Sequence, residues 1–380
     1  MKFNNHSLEG TQKFESFNGL KAIAALGIAM MHYNAFIVVK PSENFLTSNC
    51  IPFFTEFVFL FFIISAFGMC CGYYKKFTVD RGTKTCSFDT DAFYSKRFSR
   101  IWPYFGLLVS IDLMMYVLQH GFCWDDGLRS EFYMALADYT LCFNFLPNPA
   151  ITVIGGGWFL GTIFVFYIMF PFFVFLINNK RRAWFVMAVA LMMHLLTVHY
   201  FLTPDFCQQS QIDNARHEIT YSFIFLIAGG LLYLYRNKLL FTGVMSNLIL
   251  LIFVLVGTII QLVWHPTILG ENRLYLIILF AVWIVYAMRG GLEIGGYKFL
   301  DNTLMKFLGD LSMEIYLTHM MMFRLVEKIH LENKIEDQNW LFFATYVIGI
   351  TLTISFAWAV KYKAFPIMGK ITHIMRHKII

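Results

Sequence analysis

Lys21 and His32 lie eleven residues apart. On an α-helix that is a rotation of about 1100°, roughly 20° beyond three full turns, so both side chains leave one face with the imidazole about 16 Å further along. A cation at one end of a stripe and an imidazole deeper on it suit an anionic donor held at the first and proton chemistry at the second. Neutral imidazole titrates near working pH, as a general base must. A snorkelling lysine and a histidine bonded to a neighbouring helix fit this helix alone equally well.

A second pair of cations, Arg97 and Arg100, stands in the run Ser95-Lys96-Arg97-Phe98-Ser99-Arg100-Ile101-Trp102-Pro103. Three residues apart, they share a face if the run is helical. Two guanidinium forks bind phosphate oxygens bidentately, whereas ordinary cytoplasmic anchoring explains neighbouring lysines such as Lys75 and Lys76. A third cluster runs from Phe307 to His319. There Ser312, Tyr316 and His319 fall at about 0°, 40° and 340° of one helix, with Asp310 and Glu314 on its other side. A helix polar on two sides is expected to be covered by protein on both. Glu56, Asp112, Glu218, Arg273 and Trp158 are further candidates, Trp158 fitting an interfacial anchor as well as a site wall. The seven cysteines show no CxxC or Cys/His spacing of a metal site, so no metal is expected.

The elements that must position these groups are membrane spans. At 58% hydrophobic, 14% charged and a mean hydropathy of +0.59, the chain of 380 residues is too apolar for a soluble fold and excludes disordered, disulfide-scaffold and collagen-like classes. Nucleic acid is not an expected partner, because Lys and Arg of a membrane protein gather in cytoplasmic loops rather than on one basic surface. The first sixteen residues are polar and lack the pattern of a removable signal peptide.

A span needs about twenty apolar residues. Ten such runs are predicted, at 17–39, 52–74, 101–119, 157–178, 183–201, 218–235, 243–264, 271–289, 306–327 and 339–360. With the N-terminus inside, 22 Lys and Arg fall on the cytoplasmic side against 7 outside, Lys21 sitting at the inner mouth of the first span. The outer loops are the acidic ones, carrying Asp125, Asp126, Glu131, Asp138, Asp205, Asp213, Glu332, Glu336 and Asp337. The expected architecture is therefore all-α and polytopic, with about ten transmembrane helices and both termini cytoplasmic. Residues 1–380 form a single integral-membrane domain with short tails at about 1–16 and 361–380. The first and ninth spans run the same way, which puts His32 and His319 at comparable depth.

In order along the chain, these motifs resemble acyltransferase family 3, the membrane-bound O-acyltransferases of bacterial surface glycans. Gly19-Leu20-Lys21 with His32 is similar to the family's R-x10-H, and Phe61-Phe62-Ile63-Ile64-Ser65-Ala66-Phe67 to its FFxxSGF. Arg97 through Pro103 is similar to its RxxRIxP. Trp158-Phe159-Leu160 with Tyr167 and Pro171 follows. Leu308-Gly309 through Ser312, Tyr316, Leu317 and His319 is similar to LGxxSYxIYLxH. The chain departs from the pattern at Lys21, which keeps the charge of the usual arginine without its fork, and at Ala66 in place of a glycine. Phe59 stands where many members carry an acid, with Glu56 one turn earlier.

The resemblance implies a multi-pass protein of the bacterial cytoplasmic membrane that moves an acyl group, most often acetyl, from cytoplasmic acyl-CoA to a hydroxyl of an envelope glycan or lipid-linked sugar. Acyl-CoA is then a co-substrate, with no permanently bound cofactor. Lys21, Arg97 and Arg100 would hold the CoA phosphates and His32 would be the general base. A carboxylate among Glu56, Asp112 and Glu314 would orient it. Trp158, Ser312, Tyr316 and His319 would bind acceptor, stabilise an oxyanion or tie helices together. A polysaccharide exporter or flippase of related fold is the competing expectation from another class.

Overall fold

The computed structural model describes residues 14–77, 89–141, 143–146, 152–202, 216–240, 243–264 and 273–366. The expected tails beyond residues 14 and 366, and the outer-loop acids Asp205 and Asp213, lie outside this set.

Helices occupy all ten expected runs: α1 (Ser16–Phe36), α2 (Phe57–Phe77), α3 (Thr90–His120), then an intervening α4 (Asp126–Thr140), α5 (Trp158–Ile177), α6 (Lys180–Phe201), α7 (Ile219–Leu239), α8 (Val244–Trp264), α9 (Tyr275–Met288), the pair α10 (Thr303–Asp310) and α11 (Ser312–Glu327), and α12 (Gln338–Ala359). Their starts are marked in the sequence by short polar side chains. Asp89, Asp125, Asn179, Asn302 and Asp337 each accept a hydrogen bond from a first-turn backbone N–H, a cap contributing about 1 kcal/mol. Among the described residues the departure from all-α is a hairpin of two-residue strands, Glu293–Ile294 and Tyr297–Lys298, turning on Gly295 and Gly296, both at positive φ.

Seven helices among the described residues are long and apolar enough to cross a bilayer by length and composition. The other three expected spans fall short for physical reasons. Helix α1 carries Lys21, His32 and two asparagines, which lower its hydropathy. Helix α9 has 14 residues, a rise of about 21 Å. The ninth run breaks at Leu311, whose backbone (φ −90°, ψ 1°) ends α10 and begins α11.

Exposure follows the lipid-solvent logic. Helix α8 presents Leu248, Ile252, Phe253 and Ile259 outward and is scarcely buried, an apolar surface that water would penalise and hydrocarbon does not. Helix α1 is the opposite case. Ala22, Ala24, Ala25 and Ala29 are fully buried, and their small side chains let α2, α9, α10, α11 and α12 all pack against it. The approach of α10 is closest, since a Cβ on Gly309 would fall within the backbone of Asn18.

Candidate active site

Two cavities occupy opposite ends of the same three helices, α1, α3 and α11. The one at the end expected to face the cytoplasm, here the inner one, is ≈290 Å³ and is lined by Lys21, Arg97, Arg100, Ser312 and Tyr316 between walls that include Phe61, Met69, Ile101 and Phe159. The expected cations thus meet on one cavity. Arg97 and Arg100 do so because α3 begins at Thr90, eleven residues before the expected span, so both arginines are helical and share its face. Neither makes an ion pair with a carboxylate among the described residues. Arg97 instead lies over the rings of Tyr73 (4.6 Å) and Tyr167 (5.6 Å), with its Nε buried and without a hydrogen-bond partner. Lys21 Nζ donates to Asn18 Oδ1 at 3.4 Å. Three cations with donors to spare, ahead of an apolar throat, have the chemistry to hold a polyanionic head on a thin apolar arm.

The outer cavity, ≈680 Å³, is lined by the far ends of these helices, including Tyr33, Asp112, Met321 and Arg324. Along α1 the order is Lys21, His32, Tyr33. Along α11 it is Ser312, Tyr316, His319, Met321. On both helices the histidine stands between the residues of the inner cavity and those of the outer one.

The two histidines meet. His32 Nδ1 lies 2.9 Å from His319 Nε2, with ring centroids 5.1 Å apart. Geometry assigns the protons of the neutral pair. His319 Nδ1 lies 3.3 Å from the Ile315 carbonyl, which only accepts, so Nδ1 carries the hydrogen and Nε2 keeps its lone pair. His32 Nδ1 then donates to that lone pair, and His32 Nε2 is left as an acceptor with no hydrogen-bond partner among the described residues. This is the tautomer a general base requires.

Tyr316, on the same stripe, donates its hydroxyl to the Gly156 carbonyl at 2.8 Å. Gly156 has φ +79°, a left-handed conformation that brings its backbone against the tyrosine. Trp158 stacks on His217 at 4.2 Å and lines neither cavity, while its neighbour Phe159 lines the inner one.

The carboxylates considered as orienters of His32 have cations of their own. Glu56 accepts from Arg273 Nε at 2.6 Å. Asp112 pairs with Arg324 at 3.4 Å. Glu314 meets Lys361 Nζ at 3.1 Å, and Asp310 the same ammonium at 3.5 Å. Lys361 follows α12, so of the two acids on that side of the ninth run Glu314 is buried against the end of the last helix, while Asp310 stays exposed and departs from the expected two-sided cover.

Sequence reasoning did not find Asp138, fully buried on α4, whose Oδ2 accepts from Val153 N (2.9 Å) and Thr152 Oγ1 (3.1 Å). It anchors the loop that leads to Gly156. Burial pushes its carboxyl up to about 7 against the opposing effect of its hydrogen bonds. Its place among outer-loop acids offered no signal of that role.

Compared with known families, the chain matches the model of an acyltransferase domain over residues 14–362. No curated protein and no solved structure matches it.

Proposed function

The chain belongs to acyltransferase family 3 and is a membrane acyltransferase, and from that premise we propose that it transfers an acetyl group from cytoplasmic acyl-CoA to a hydroxyl of an envelope glycan, with His32 as general base. The observation that carries this reading is the histidine pair standing between a cationic inner cavity and a polar outer one on the same helices.

Lys21, Arg97 and Arg100 bind the phosphates of CoA. The inner cavity lies at the lower end of small-ligand pockets, enough for the acyl-pantetheine arm while the nucleotide stays at the mouth. Ser312 and Tyr316 line the wall beside the thioester. The acceptor enters from the opposite side. Its hydroxyl proton passes to His32 Nε2 as the oxygen attacks the thioester carbonyl. The C–S bond then breaks, the imidazolium returns the proton to the departing thiolate, and the products are an O-acyl ester and free CoA thiol. His319 stabilises the imidazolium by accepting from His32 Nδ1, the part a carboxylate plays in hydrolase triads. Glu56 and Glu314 act in this scheme through Arg273 and Lys361, as members of helix-tying ion pairs.

Membranes holding wild type or His32→Ala at matched abundance, supplied with radiolabelled acetyl-CoA, test the proposal. Label on envelope glycans should fall by roughly 10²–10⁴-fold in the variant, the usual contribution of a positioned general base. Equal labelling by the two membranes, above a background without the protein, would overturn the base assignment.

A further inference from the structure

The outer cavity is built for a polar guest. Its wall carries four carboxylates, Asp112, Glu131, Glu327 and Glu332, against the cations Arg324 and Lys328. Arg324 is spent on Asp112, and Glu332 on His330 at 2.8 Å. Glu131 and Glu327 make no ion pair among the described residues, and Glu327 Oε1 is buried without a hydrogen-bond partner. Burial, followed by the adjacent Asp112 carboxylate, raises the Glu131 carboxyl, with Arg324 and His120 acting the other way.

Tyr33 forms part of the same wall. It directly follows His32 and its ring lines the cavity, while its hydroxyl is buried beside Thr345 and out of reach of a guest. Ionised carboxylates only accept, and they outnumber the cations on this wall, so a guest that brings donors is favoured. Sugar hydroxyls and ammonium groups bring them. A guest carboxylate, sulfate or phosphate brings further acceptors and like charge.

We infer that this cavity is the acceptor site and that it selects an uncharged or amino-bearing glycan unit of about disaccharide size, rejecting one that bears an anionic group. The inference rests on the acyl-transfer reading of the histidine pair. It makes Glu131 a specificity-determining residue at the cavity rim, remote from the acyl donor.

The test uses the purified full-length protein and short oligosaccharides prepared beforehand from envelope glycans, separated by ion exchange into cationic, neutral and anionic fractions. Each fraction is offered as acceptor with labelled acetyl-CoA, and separately as a stabilising ligand in thermal unfolding followed by tryptophan fluorescence. Label and a raised Tm are expected with the neutral or cationic fraction and not with the anionic one. In Glu131→Lys the ratio of neutral to anionic acceptance should fall at least tenfold, and in Glu131→Gln by less. Labelling or stabilisation by the anionic fraction as readily as by the others overturns the inference, as does a ratio unmoved by Glu131→Lys. If no fraction is labelled, the acyl-transfer reading fails. The Tm series then decides the cavity's selectivity alone, and no shift with any fraction overturns that too.

Discussion

In the proposed transfer, His32 acts through the ring it touches. Its usable lone pair on Nε2 depends on His319 accepting at 2.9 Å, and His319 is itself set by the Ile315 carbonyl. Glutamine at position 319 still offers an oxygen acceptor, and alanine offers none. His319→Ala should therefore lower kcat by roughly tenfold or more with KM for acyl-CoA little changed, while His319→Gln recovers part of the loss. Equal kcat in both variants would mean that His319 serves packing alone. The shared stripe of Lys21 and His32, and the comparable depth of His32 and His319, were legible from spacing. Their contact was not, because it joins residues 287 apart in the chain. For the same reason the partners of the candidate carboxylates could not be read from the sequence. Glu56, Asp112 and Glu314 are each answered by a cation from a distant element, and nothing local to any of them announces Arg273, Arg324 or Lys361.

At the scale of elements, the break at Leu311 turns one expected span into two helices and lets α10 lie against α1 at Asn18. Gly309 permits that approach. Gly309→Val should cost roughly 1–3 kcal/mol or more by overpacking and lower the unfolding temperature, whereas the same change at Gly72, where a Cβ meets nothing, should have little effect. Comparable unfolding of the two variants would contradict the close packing.

Helix α4 contributes through Asp138, whose raised carboxyl gives a pH signature. In the folded state it binds its proton up to about pH 7, in the unfolded chain only to about pH 3.9. Its contribution to stability is therefore full below the lower value and is lost as pH rises through the upper one. Unfolding followed between pH 4 and 7 should show that decline in wild type and a flatter profile in Asp138→Asn, which keeps the acceptor oxygen without the charge. Identical slopes would remove Asp138 as the source.

For the whole molecule, each of the ten runs expected from hydropathy holds helix among the described residues, because a bilayer-length apolar stretch is a strong local signal. Hydropathy did not anticipate the shortness of α9, the break in the ninth run or the separate α4, all set by packing between helices. The positions of Lys21, Arg97 and Arg100 near one end of their helices were readable. The outer cavity was not, since α1, α3, α4, α11 and α12 all contribute to its wall.

The central claim is that donor and acceptor reach His32 from opposite sides of the membrane. Proteoliposomes with labelled acetyl-CoA sealed on one side and glycan acceptor on the other test it most directly. The account predicts that label crosses to the acceptor when the donor faces the Lys21–Arg97–Arg100 mouth, and that His32→Ala abolishes the transfer. Labelling only when donor and acceptor share a side would contradict it.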